Sequence, residues 1–91
     1  MSLLADFRRT LGYEYGLLNL GVFGSVARDQ MTDDSDVDVV VDLAEPNLLT
    51  LAAIMIHLEE LLGRPVDVVH YKGMRNKYLK LRIDREAIYV G

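Results

Sequence analysis

Two apolar runs, joined through a glycine turn and a pair of aspartates, set the frame for this chain. Leu17 to Phe23 is apolar, bounded by glycine and of strand length, and it runs straight into Gly24-Ser25. Ten residues follow Ser25, and then Asp36 and Asp38 open a second run, Val37 to Val41, dense in β-branched side chains. Gly24 permits backbone angles and close approaches that a side chain forbids, and Ser25 with the next amides opens a short helix at Val26 to Met31 whose N-terminus favours an anion. Residues two apart in a strand share a face about 7 Å apart along it, so Asp36 and Asp38 project side by side, where carboxylates suit a hard divalent cation such as Mg²⁺. A phosphate-gripping turn facing a metal-binding strand is therefore expected between Gly24 and Asp42.

Each piece also has a plainer reading. Ser25 caps a helix, and the acids solubilise a strand end, the role assigned to Asp33, Asp34 and Asp42. Paired acids among valines repel one another unless a cation or a basic group neutralises them. Arg28, one turn beyond the glycine, either grips a phosphate bidentately or pairs with one of these acids.

The flanking segments read as the scaffold for these two runs. Leu3, Leu4, Phe7 and Leu11 recur at helical spacing, which predicts a first helix over residues 3 to 11, capped by Ser2 and ended by Gly12, with Tyr13, Tyr15 and Gly16 as a turn. Asn47 caps a helix over Leu48 to Leu62, with Leu48, Leu51, Ala52, Met55, Leu58 and Leu62 as its inward stripe and Gly63 followed by Pro65 as its stop. Ile54 and Leu61 widen that helix's apolar surface, so it touches two layers or a partner chain. Pro65 to His70 reads as a third strand with Asp67 in its middle. Met74 to Ile83 reads as a last helix with Met74, Tyr78, Leu81 and Ile83 as its inward candidates, and Ala87 to Val90 as a short terminal strand or extended tail. The expected fold class is α/β (α+β): a small mixed sheet flanked by helices.

Composition narrows the function classes. Ninety-one residues allow one domain, 1–91, with one small core. The chain has no cysteine, hence no thiolate metal site and no disulfide framework, and its N-terminus lacks the apolar stretch of a signal peptide; a cytoplasmic location is the default expectation. No run approaches the roughly 20 apolar residues of a membrane span. The net charge of −4 conceals a dipolar layout: residues 1 to 45 hold three basic and nine acidic side chains, residues 72 to 91 six basic and two acidic. That layout lacks the continuous basic track of a nucleic-acid binder, and the basic end reads as a solvated helix face, with contact to a triphosphate or an acidic partner as a further option.

Asp67 is the third carboxylate of interest. A third strand beside the second lets it join Asp36 and Asp38 in readying an attacking hydroxyl and stabilising a leaving pyrophosphate; the plainer reading has it satisfied by Arg64 or a backbone amide. His57 and His70 sit at no metal-ligand spacing with the acids and are read as structural.

Gly-Ser, ten residues, Asp-x-Asp and a distal strand Asp, met here by Gly24, Ser25, Asp36, Asp38 and Asp67, resemble the minimal nucleotidyltransferases of the DNA polymerase β superfamily. Ala27-Arg28 and Ser35-Asp36 match as well; Asp29 departs from the usual glycine, and Val39 from the usual leucine. The resemblance covers nearly the whole chain and implies a polymerase-β-like fold. In it Gly24, Ser25, Arg28 and Ser35 bind the nucleotide, Asp36, Asp38 and Asp67 are catalytic and hold Mg²⁺, and ATP is the donor. Stand-alone domains of this type look like antitoxins that attach AMP to a tyrosine of a HEPN ribonuclease toxin, and a hetero-oligomer with such a toxin is implied. An antibiotic-type small-molecule transferase and a non-catalytic binding antitoxin are the competing readings.

Overall fold

The computed structural model describes residues 2–24 and 36–90. Its elements run α1 (Ser2–Tyr15), β1 (Leu17–Phe23), β2 (Val37–Leu43), α2 (Leu48–Leu62), β3 (Val66–His70), α3 (Lys77–Glu86) and β4 (Ile88–Val90). The strands form one mixed sheet in the order β3-β2-β1-β4, with β1 antiparallel to β2 and β4, and β2 parallel to β3. The parallel pair is joined through α2, the crossover helix that such a connection requires. The expected mixed sheet flanked by helices is the observed fold.

Period-2 alternation in β1 and β2 divides the valines and leucines between the two faces. One face of the sheet sends Leu20, Val22, Val37, Val39, Val41 and Val66 into a core closed by Leu4 and Phe7 of α1 and by Ile54 and Leu58 of α2. The other face sends Phe23 and Val40 against Ile83 of α3, with Val69, Met74 and Leu79 at the margin. The sheet is thus a middle layer, and the strand faces explain why nearly every residue of β2 is apolar. Gly21 has a packing reason: a Cβ there would stand 2.9 Å from the Tyr89 ring and 3.0 Å from the Ile88 carbonyl, so β4 can pair closely only with a glycine.

The bounds of three elements differ from expectation by more than one residue. α1 continues through Gly12 to Tyr15, because Leu4, Phe7, Leu11 and Tyr15 form one stripe on the core that outweighs the weak helix propensity of one glycine; the helix stops at Gly16, in the left-handed region at φ 68°. β2 runs on to Leu43, where Leu17 pairs with it. α3 starts three residues later than predicted, where the Asn76 side chain accepts the Leu79 amide at 3.0 Å. Ile83 is buried as expected, but that start brings Leu79 rather than Tyr78 and Leu81 to the same face, and the latter two are exposed.

The Leu48–Leu62 helix has its predicted bounds and its Asn47 and Gly63 caps. Leu51, Leu58 and Leu62 of the expected stripe pack on the core, but the stripe's remaining core position is Ile54, and Leu48 is 83% exposed. The short helix expected over Val26 to Met31 lies outside the described residues. No helix among the described residues is long and apolar enough to cross a membrane.

Both histidines serve the scaffold. His70 Nε2 accepts the Leu43 amide at 3.0 Å while Nδ1 lies 2.9 Å from the Lys72 carbonyl, an arrangement that places the ring proton on Nδ1. His57 packs edge-on to Phe7 and meets the Tyr15 hydroxyl at 3.3 Å.

Tyr71 donates a 2.6 Å hydrogen bond to Asp84, and this bond, aided by desolvation, pushes its pKa from 10.0 up to about 12. A raised folded-state value means that the contribution of this group to stability is complete below pH 10 and is lost as pH rises through about 12. An ultraviolet phenolate titration is expected to show a late-ionising tyrosine that disappears in Tyr71→Phe; an unchanged titration in that variant would refute the coupling.

Candidate active site

Strand pairing brings the turn and the acids to one end of the sheet. β1 and β2 are antiparallel, so the C-terminal end of β1 lies beside the N-terminal end of β2, and Phe23 pairs with Asp38. On the far side of β2, Asp38 pairs with Asp67 of β3. Phe23, Asp38 and Asp67 therefore form a row across three neighbouring strands, with strands about 4.8 Å apart. Asp38 shares parity with Val40, and Asp67 with Val69, so both carboxylates stand on the face that α3 covers. Asp36 immediately precedes β2 and is exposed, as is Asp67, while Asp38 is half-buried.

Gly24 closes the row. Its φ of 70° lies in the left-handed region, and a Cβ added there would collide with Asp38 Oδ2. The absent side chain is what lets the turn lie against that carboxylate.

The long-range partners of the turn come from α3. The Gly24 N–H donates to Glu86 Oε2 at 3.1 Å, across 62 positions of sequence. Glu86 Oε2 stands 3.7 Å from Arg82 Nη2, and the Arg82 guanidinium lies over the Phe23 ring at 5.9 Å from its centroid. Arg82 Nη2 is also 3.7 Å from the point that a Gly24 Cβ would occupy. The sequence alone marks residues 72 to 91 as a basic end, a solvated face or a contact for a triphosphate or an acidic partner, and singles out neither residue. The signal available was an Arg-Glu pair four residues apart, which is common on any exposed helix.

Of the residues singled out from sequence, Gly24, Asp36, Asp38 and Asp67 gather at this end of the sheet, and Ser25, Arg28 and Ser35 lie outside the described residues. The donor chemistry suits a hard cation: carboxylate oxygens, two of them on facing register positions, beside a space that a Cβ would fill. Among the described residues, no three His, Cys, Asp or Glu side chains converge as one ligand set. Asp36 and Asp67 are exposed, so their carboxylates can turn without disturbing the core.

The model of the nucleotidyltransferase domain matches residues 3–90 of this chain. The chain belongs to the nucleotidyltransferase domain family. It is accordingly an enzyme of the transferase class, and the sheet described above is the polymerase-β-like nucleotidyltransferase fold. Among similar proteins, protein adenylyltransferase MntA of Thermococcus cleftensis is 38% identical over 90 residues, a span of 98% of this chain and 90% of that protein. A solved structure assigned to the minimal nucleotidyltransferases matches with a TM-score of 0.77 at 38% identity, covering 92% of this chain and 86% of that one. A tri-AMPylated Shewanella oneidensis HEPN toxin in complex with an MNT antitoxin holds a chain that matches with a TM-score of 0.70 at 18% identity, covering 97% of this chain and 69% of that one; this likeness is one of fold.

Proposed function

We propose that this nucleotidyltransferase is an antitoxin that transfers AMP from ATP, with Mg²⁺, to a tyrosine hydroxyl of a HEPN ribonuclease toxin. The observation that carries this reading is the row of Asp38 and Asp67 on adjoining strands with Gly24 folded against it. The 38% identity to a protein adenylyltransferase supports the adenylyl group, and the fold match to a toxin–antitoxin complex supports the partner.

In this reading Asp36, Asp38 and Asp67 would hold Mg²⁺, and Gly24, Ser25, Arg28 and Ser35 bind the nucleotide. The metal, when bound, offsets the charge on the phosphates and favours the deprotonated acceptor. Asp67 stands at the exposed side of the row and takes the proton of the tyrosine hydroxyl. The phenolic oxygen forms a bond to the α-phosphorus, the bond from that phosphorus to the bridging oxygen breaks, and pyrophosphate leaves with the electron pair. The start of α2, where Leu48 and Leu49 are 83% and 81% exposed, and the basic residues of α3 are the surfaces offered to the toxin.

Incubation of the protein with labelled ATP, Mg²⁺ and its cognate HEPN protein is expected to place the label on a tyrosine of the latter. Label on small molecules alone would favour the antibiotic-type reading, and a tight complex without transfer the purely steric one; either result overturns the proposal. Because Asp67 is exposed, Asp67→Asn is expected to lower the transfer rate with little change in melting temperature. The opposite pattern would assign it a structural role.

A further inference from the structure

The described part of the active end holds carboxylates from β2, β3 and α3, yet the proposed donor is a polyanion. A site of that composition needs fixed positive charge as well as any metal, since like charges at short range disfavour one another. Among the described residues, the cation that reaches the Gly24 turn is Arg82. Its Nη2 lies 3.7 Å from the position a Gly24 Cβ would take, on the side of the turn that α3 covers.

Three features distinguish Arg82 from an ordinary surface arginine. Its guanidinium lies over the ring of Phe23, the last residue of β1, at 5.9 Å from the centroid. Its one ion pair among the described residues, to Glu86, is 3.7 Å long, outside hydrogen-bonding distance, so the planar N–H fork is not consumed by that contact. The side chain keeps 40% of its surface in solvent while its Nη2 stands beside Gly24. Glu86 meanwhile serves two groups at once: the same Oε2 accepts the Gly24 N–H and faces Arg82.

We infer that Arg82 is a nucleotide-binding residue that grips the phosphate chain of the donor from α3, and that Glu86 is its positioning residue, tying helix and turn together. This inference rests on the nucleotidyl-transfer reading above. The guanidinium offers two parallel N–H donors to phosphate oxygens, a geometry that lysine does not reproduce.

The test measures binding of ATP and of adenosine, each with Mg²⁺, to the full chain by ligand-observed NMR or calorimetry. Arg82→Met is expected to weaken ATP about 10-fold or more, the scale of a charge-assisted hydrogen bond, and to leave adenosine unchanged. Arg82→Lys, which keeps the charge but not the planar fork, is expected to fall between the parent and Arg82→Met, and it carries the test if the Met variant melts early. Glu86→Ala is expected to weaken ATP as well, with Glu86→Gln recovering much of the loss by accepting the Gly24 amide through its carbonyl oxygen. Equal loss for ATP and adenosine, or ATP affinity unchanged in Arg82→Met and Arg82→Lys, would overturn the role of Arg82. A Glu86→Gln variant no better than Glu86→Ala would overturn the role of Glu86. A parent protein that binds neither ligand would instead overturn the nucleotidyl-transfer reading itself, and this inference with it.

Discussion

Asp38→Asn is expected to abolish nucleotidyl transfer while leaving the fold intact. Asp38 is the centre of the row, paired with Phe23 on one side and Asp67 on the other, and no other residue of β2 or β3 can replace its oxygen at the Gly24 turn. Stabilisation of the developing charge by a metal held there is worth several kcal/mol, and each 1.36 kcal/mol is tenfold in rate, so a loss of roughly three orders of magnitude or more is expected. Stability is expected to move far less than activity, because asparagine fills the same volume and keeps a side-chain carbonyl oxygen in place. Parallel measurement of melting temperature and label transfer decides the matter. Substantial residual transfer by a well-folded variant would move the catalytic centre elsewhere.

Gly24→Ala is the second large expectation, and it differs in kind because it damages both stability and activity. An L-residue in the left-handed region costs about 1–2 kcal/mol, and here the new methyl also overlaps Asp38 Oδ2. Relief comes either from rotation of the Asp38 carboxylate out of the row or from lifting of the turn, which breaks the Gly24 amide bond to Glu86. For a domain of this size, about 1 kcal/mol lowers the melting temperature by about 4–8 °C, so a fall near 10 °C is expected together with loss of transfer. An alanine variant with parental activity would show that the close approach of turn and carboxylate is dispensable.

Much of this end of the molecule was legible before any coordinates. β-branched runs bounded by glycine marked β1 and β2, and the spacing of Asp36, Asp38 and Asp67 placed the acids on neighbouring strands, because strand periodicity is local and strong. What failed to show was rotation and length: Gly12 suggested an end to α1 that the Leu4, Phe7, Leu11 and Tyr15 stripe overrode, and the start of α3 depended on Asn76 capping rather than on Met74. The contribution of Arg82 and Glu86 was invisible for a different reason. Their relation to Gly24 is purely tertiary, and local patterning carries no trace of a bond between positions 24 and 86.

That same bond has a consequence for how the molecule is made. Pairing of β1 with β2 and docking of α1 and α2 need no help from α3, so a sheet bearing all three acids can form while the last helix is still unattached. The Gly24 amide gains its acceptor only when residues 82–86 arrive, and closing so long a loop is an entropic step that must precede any reward from its contacts. In refolding, the Gly24 amide is therefore expected to gain protection from exchange no earlier than the β1–β2 amides, and a Gly24 amide protected first would refute this order.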